Sequence, residues 1–380
     1  MIYLDYVSTT PFSADLQNIY QDILHKYFAN SESLHDLGRE VDKLVEKSRH
    51  QIATLFHVYD NEIIFTSGAS ESNNMALKSV AWANQSKGKH IITSAYEHSS
   101  VMESCRQLSE LFGFEISYLY PNEKGIITLE NVKSHLRSDT ILVSLMYVNN
   151  EIGAVNPVSE IGEYIRKHSQ AIFHVDAVQA LGKYPIETEN VDLMSFSMHK
   201  VFGMKGSGIL LKKQHIEVAP LISAGQQEFG IRGGTINFAS DILAARTIRT
   251  AMESQKEHYF YCKDLSNYLY EELEKIDGIL LNSEREGSPF IVNFSYPPIK
   301  SEVMMNALNM NGFALSAQST CHSKSKSISH VYSAMHYDVD RAESSVRIGL
   351  SHLVKKEELE AFITTLKGII DAYEIGRAHV

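Results

Sequence analysis

Lys200 closes the run Ser197-Met198-His199-Lys200. A lysine directly after a strand end, beside histidine and serine, can form a Schiff base with an aldehyde cofactor. Ser197 and His199 are then suited to hydrogen-bond the phosphate of that cofactor. A second cluster lies upstream in His174-Val175-Asp176-Ala177-Val178-Gln179. An aspartate at the end of a buried apolar strand is costly unless paired. A protonated pyridine nitrogen is a suitable partner, because the carboxylate keeps the ring cationic and makes it an electron sink. Gln179, from the first helical turn, can reach a ring hydroxyl. A third cluster, Ser67-Gly68-Ala69-Ser70-Glu71, is a glycine turn into a helix amino terminus, which offers free N–H groups to an anion such as phosphate. The fourth is Glu97-His98, where an imidazole at a strand end offers a stacking face for a planar cofactor and a carrier for protons.

Taken singly, each cluster has an ordinary alternative. Most of the 35 lysines and arginines must be solvated surface charges, and any one of 17 histidines is more often structural than chemical. A strand-end aspartate commonly caps the next helix, and glycine turns occur in plain loops. The order and spacing of the four clusters decide between these readings.

The elements that must position them alternate. Glu62–Thr66, His90–Thr93, Phe114–Tyr120, Thr140–Val148, Ile172–Asp176, Leu193–Phe196 and Gly208–Leu211 read as strands, with helical patterns such as Val101–Leu111 between them. Alternation of this kind predicts an α/β fold with a largely parallel sheet covered on both faces. After Ser240 the pattern changes to one long helical stretch reaching about Ile276. Two strands follow (Ile279–Leu281 and Phe290–Phe294), then a helix, a polar segment and a terminal helix, which together predict an α+β second lobe. The polar segment holds Cys321 in QSTCHSKSKSIS, which by itself reads as a mobile surface loop with a surface thiol; the serines argue against a packing role, and Lys324 and Lys326 close by would favour thiolate. Cys105 and Cys262 lie in helical patterns and are expected to be bystanders.

The whole-chain numbers agree with a two-lobed enzyme. The chain has 380 residues, 44% of them hydrophobic and 21% charged, which is globular composition. A net charge of -11 argues against direct nucleic-acid binding, and three widely spaced cysteines argue against a disulfide framework or a zinc ribbon, so no metal is expected. MIYLDYVSTTP does not read as a signal peptide and no apolar run is long enough to span a bilayer, so a reducing cytoplasm is the expected location and no membrane partner is expected. The last six residues, Ile375-Gly-Arg-Ala-His-Val, match the translation of a common sequencing-adapter stretch; residues 375–380 are expected to be a non-native tail.

With these clusters in view, the sequence resembles the cysteine desulfurases of the NifS/IscS type, within the aminotransferase class V group. The resemblance runs from LDYVSTTP to VRIGLSH near residue 350, through FTSGASESNN, HIITSAYEHSSV, TILVSLMYVNNEIGAV, FHVDAVQALGK, DLMSFSMHKVFGMKGSG and RGGTIN. It implies a fold type I enzyme that uses pyridoxal 5'-phosphate. A large cofactor-binding domain (16–245) would carry a mostly parallel seven-stranded sheet. A smaller domain, from residues 1–15 and 246–374, would carry the catalytic cysteine loop.

Position by position, the resemblance implies Lys200 as the cofactor-bearing lysine and the base that removes the α-proton. It implies Asp176 at the pyridine nitrogen, His98 stacked on the ring, Gln179 at the ring hydroxyl, and Asn150 near the ring and the substrate carboxylate. Ala69, Ser70, Ser197 and His199 would hold the phosphate, with Thr235 supplied to it from the other subunit of a homodimer. Arg347 would hold the carboxylate of L-cysteine with its planar fork. Cys321 would take the sulfur as a persulfide, leaving L-alanine, and hand it to an acceptor protein, an iron–sulfur scaffold or a tRNA-thiolation enzyme. Selenocysteine lyase, aminotransferase or kynureninase-like hydrolase chemistry on the same fold is the alternative, as is a scaffold that has lost turnover. The sequence departs from the family pattern at Gln318, Thr320, Met198, Met204 and His352, the last standing where a second arginine is common.

Overall fold

The computed structural model describes residues 1–317 and 328–378. Gln318, Thr320, Cys321, Lys324 and Lys326 therefore lie outside the described residues. The strands among those described are β1 (Ile2–Tyr3), β2 (Ile63–Thr66), β3 (His90–Ser94), β4 (Glu115–Leu119), β5 (Thr140–Met146), β6 (Ile172–Asp176), β7 (Leu193–Ser197), β8 (Gly208–Lys212), β9 (Leu280–Leu281), β10 (Ile291–Ser295), β11 (Phe313–Ala314) and β12 (Ser345–Gly349).

Seven of them form one sheet in the order β2-β8-β7-β6-β5-β3-β4. Pairing is parallel except at β8, which runs antiparallel to both β2 and β7. β5, β6 and β7 are buried along their whole length apart from the half-buried Ile172. Continuous apolar runs such as Ile141-Leu142-Val143 are what a sheet covered on both faces requires. Buried polar side chains inside it are paired: fully buried His174 lies between Ser144 Oγ (2.8 Å) and Ser195 Oγ (2.9 Å), and burial pushes it down to about 3.

Beyond residue 238 two helices follow rather than the single expected one, Phe238–Glu253 and Gln255–Leu273, with Ser254 between them. β9, β10 and β12 form an antiparallel sheet. β12 was not foreseen as a strand; it lies between the polar segment and the terminal helix Lys356–Ala378. The first residues of the chain join this part of the molecule: β1 pairs in parallel with β11, and Asp5 bridges to Gly349. No helix among the described residues is long and apolar enough to cross a membrane.

Candidate active site

In a parallel sheet the carboxyl ends of the strands leave a crevice where the connections part, and ligands bind there. Asp176 ends β6, Ser197 ends β7 and Lys200 follows three residues later; His98 and Asn150 follow β3 and β5. Because β8 runs the other way, its first residue, Gly208, sits at this same edge. A Cβ on Gly208 would come within 2.5 Å of the Gly68 Cα, so this glycine permits the close approach of the Ser67–Ser70 turn. Gly68 itself has φ +144°, strained for any other residue, and opens the helix that begins at Ala69.

These segments enclose a cavity of about 460 Å³. Lys200, Asp176, His98, Asn150, Gln179, Ala69, Ser70, Ser197, His199 and Arg347, all anticipated from the sequence, border it. Thr235 does not; it lines a smaller neighbouring cavity, with Ser67 and Gly206 common to both.

Lys200 Nζ donates to the Val7 carbonyl at 2.8 Å and the Ser8 carbonyl at 2.7 Å. The LDYVSTTP segment is therefore part of the site. His199 Nδ1 is 3.0 Å from Thr9 Oγ1, and burial, with the charges of Lys200 and Lys205, pushes His199 down to about 4.

Asp176 is 6% exposed. Its Oδ1 accepts from the Val178 N–H at 3.1 Å and closes a turn; no helix follows β6, so Asp176 caps none and Gln179 sits in a turn rather than in a first helical turn. Its Oδ2 accepts from Asn73 Nδ2 at 2.8 Å. Asn73 also donates to Ser100 Oγ at 2.9 Å, and its buried Oδ1 has no hydrogen-bond partner among the described residues. Sequence reasoning passed over Asn73; its signal was a second polar residue within FTSGASESNN, one turn into the helix.

His98 caps the helix Ser99–Phe112: its Nδ1 accepts from the Ser100 N–H at 3.2 Å and lies 2.8 Å from Ser100 Oγ. With Nδ1 an acceptor, the ring proton belongs on Nε2. Burial, more than the opposing charge of Asp176, keeps the imidazole below its usual range and neutral.

Arg347, 2% exposed, donates to the Asn150 carbonyl (2.7 Å), Ser8 Oγ (2.8 Å) and Ser316 Oγ (2.7 Å), and its Nη2 lies 3.3 Å from Asp5 Oδ1. Ser8 and Ser316 were likewise not foreseen. The guanidinium is thus held from three segments distant in sequence, and among the described residues its Nε has no partner.

The turn before Thr235 is held by a buried pair. Glu228 and Phe229 adopt left-handed backbone (φ 47° and 59°), and Arg49 grips the Glu228 carboxylate at 2.7 and 2.8 Å. The Arg49 guanidinium also lies over Phe65 (4.7 Å) and Phe229 (5.0 Å). Arg232 then meets Glu71 at 2.8 Å, and Glu71 accepts from the Ser67 N–H at 2.7 Å, tying this loop to the Ser67–Ser70 turn.

Cys105 and Cys262 are fully buried in helices, and burial raises both thiols, Cys262 to about 12. Neither borders the cavity. His352 stacks on His258 at 3.8 Å, away from this cavity. Among the described residues no cluster of His, Cys, Asp and Glu could hold a metal ion.

Comparison with known proteins agrees with this geometry. Residues 2–362 match the aminotransferase class V family. The cysteine desulfurase IscS of Dictyoglomus turgidum (strain DSM 6724 / Z-1310) is 39% identical over 374 residues, 97% of this chain and 94% of that protein. A solved structure described as a NifS-like protein superposes with a TM-score of 0.91 at 32% identity, covering 97% of this chain and 99% of the other. Another, of SspA in complex with cysteine, gives 0.81 at 29% identity over 92% of this chain and 99% of its own. A family match from residue 2 to residue 362, and a relative matched along nearly all of both chains, make this chain a member of the aminotransferase class V family.

Proposed function

We propose that the chain is a cysteine desulfurase. It binds pyridoxal 5'-phosphate through Lys200, converts L-cysteine to L-alanine, and passes the sulfur as a persulfide on Cys321 to an acceptor protein. The observation that supports this best is the convergence of Lys200, Asp176, His98, Gln179, Asn150 and Arg347 on one cavity, in a chain of this family. Pyridoxal-phosphate dependence comes with the family and its desulfurase members.

The residues present fit that cofactor. Asp176 is a buried carboxylate whose remaining face lies on the cavity, the partner a protonated ring nitrogen needs. The Ser67–Ser70 turn, Ser197 and His199 form a polar cradle at a helix amino terminus, suited to a phosphate. Bound there, the cofactor supplies an electron sink for charge that develops at the substrate α-carbon. Arg347 and Asn150 orient the substrate carboxylate. The Lys200 amine takes the α-proton. The Cys321 thiolate attacks the substrate sulfur; the carbon–sulfur bond breaks, a sulfur–sulfur bond forms, and the carbon is protonated to give alanine. His98, with its proton on Nε2, is the donor at hand.

The protein works as a homodimer in which Thr235 serves the neighbouring site. Residues 16–245 act as the cofactor domain, and 1–15 with 246–374 as the smaller domain. The acceptor is an iron–sulfur scaffold or a tRNA-thiolation enzyme, and the setting is a reducing cytoplasm. The reading is tested with Lys200→Ala. The variant is expected to lose alanine formation and the covalent cofactor adduct that borohydride traps in the wild type. A variant that still traps the cofactor would remove Lys200 from its role.

A further inference from the structure

Lys183 is a buried lysine that the proposed chemistry does not use. It is 8% exposed, and its Nζ donates to Gln179 Oε1 at 2.6 Å across the turns that follow β6. Burial, and after it the charge of Lys200, pull Lys183 down to about 7; Arg347 acts in the same direction and Cys262 in the other. Its Nζ also lies 5.6 Å over the ring of Phe290. A lysine kept in such a place needs a group that uses it, and Gln179 is its hydrogen-bond acceptor.

The other end of the Gln179 amide is fixed as well. Nε2 donates at 3.1 Å to the Val7 carbonyl, the same oxygen that accepts from Lys200. Lys183 Nζ donates to Oε1 in its charged and its neutral form, and the Val7 carbonyl can only accept. Between these two neighbours the amide has one orientation: Oε1 toward Lys183, Nε2 toward Val7. Gln179 is 4% exposed and borders the cavity, so its second N–H is the polar group it has left for a ligand.

We propose that Lys183 is a positioning residue that locks the Gln179 amide with its N–H side toward the cavity, so that Gln179 donates to the anionic ring oxygen of the cofactor. The inference rests on reading the cavity as a pyridoxal-phosphate site. Without Lys183 the amide keeps only its bond to the Val7 carbonyl, and its N–H is held toward that ring oxygen less firmly.

The test is a double-mutant cycle on the cofactor-loaded protein, read by pH titration of its visible absorption band. Losing the N–H donor raises the proton affinity of the unit that contains the ring oxygen. Lys183→Met is therefore expected to move the midpoint up by about one pH unit, the worth of one hydrogen bond to a charged group. The apparent Kd for pyridoxal phosphate rises about tenfold with it. Gln179→Met alone gives a similar shift, and adding Lys183→Met to it gives no further one. Lys183→Gln, which keeps an N–H donor without a charge, stays close to the wild-type midpoint, and it carries the test should Lys183→Met fail to fold. A full shift in Lys183→Gln, or a Lys183→Met shift that persists on the Gln179→Met background, assigns the effect to lost charge and overturns the proposal; so does an unmoved midpoint in Lys183→Met. A wild-type protein that gains no visible band with pyridoxal phosphate sinks the cofactor reading instead.

Discussion

Glu97 is a carboxyl group held where a charge is costly. It is 1% exposed; Oε1 accepts from Ser94 Oγ and from the Met146 N–H, while Oε2 has no partner among the described residues. Burial pushes it from 4.5 to about 8. Between those values the unfolded chain releases this proton and the folded chain keeps it, so the contribution of Glu97 to stability falls as pH rises. Glu97→Gln removes that dependence. In thermal unfolding the variant is expected to gain on the wild type by a few degrees at pH 8 relative to pH 5. An equal difference at the two pH values would show that Glu97 is ionised in the fold. That Lys200, Asp176 and His98 meet at one cavity was legible from the order and spacing of their clusters, not from any one residue. Their supports were less so. Asn73 and Ser316 carry no chemistry of their own, and the carbonyls of Val7 and Ser8 are backbone atoms that any residue supplies.

At the scale of elements, the inner strands of the large sheet were readable because both their faces are buried and the β-branched runs stand out. The direction of β8 was not, because a buried antiparallel strand inside the sheet has the same apolar composition as a parallel one. β1, β11 and β12 were missed for a different reason: two have only two residues each, and all three are defined by partners hundreds of positions away or across another strand. The break at Ser254 was hidden by helix-forming residues on both sides. The meeting of β8 with the Ser67–Ser70 turn offers an element-level test. Gly208→Ala puts a methyl group within 2.5 Å of the Gly68 backbone, and backbone cannot swing aside as a side chain can. The turn must move out, and the cradle with it. Cofactor affinity in an equilibrium titration is expected to drop at least about tenfold, roughly the loss of one charge-assisted hydrogen bond. Unchanged affinity would mean the turn does not hold the phosphate.

At the scale of the whole molecule, Thr235 sits beyond the wall formed by Ser67 and Gly206, on a loop fixed by Arg49 and Glu228. If it serves the other subunit, two defective chains can repair each other. Mixed dimers of Lys200→Ala and Thr235→Ala chains would contain one site with an intact lysine and an intact threonine from its neighbour. Refolding the two variants together is expected to restore activity toward half that of the wild type per mixed dimer, whereas each alone stays low. No recovery on mixing would place Thr235 in its own subunit's site. The seat of Lys200 has a consequence in time. Its two carbonyl acceptors belong to residues 7 and 8, and that segment is moored by β11 and by Gly349. A ribosome delivers the amino-terminal strand first and its mooring some three hundred residues later. A nascent chain can close the large sheet once residue 212 has emerged, yet Leu4 and Val7, both buried in the finished protein, must wait unshielded. The lysine pocket is therefore completed only after residue 349 has been made, and capture of a cofactor belongs late in translation or after it.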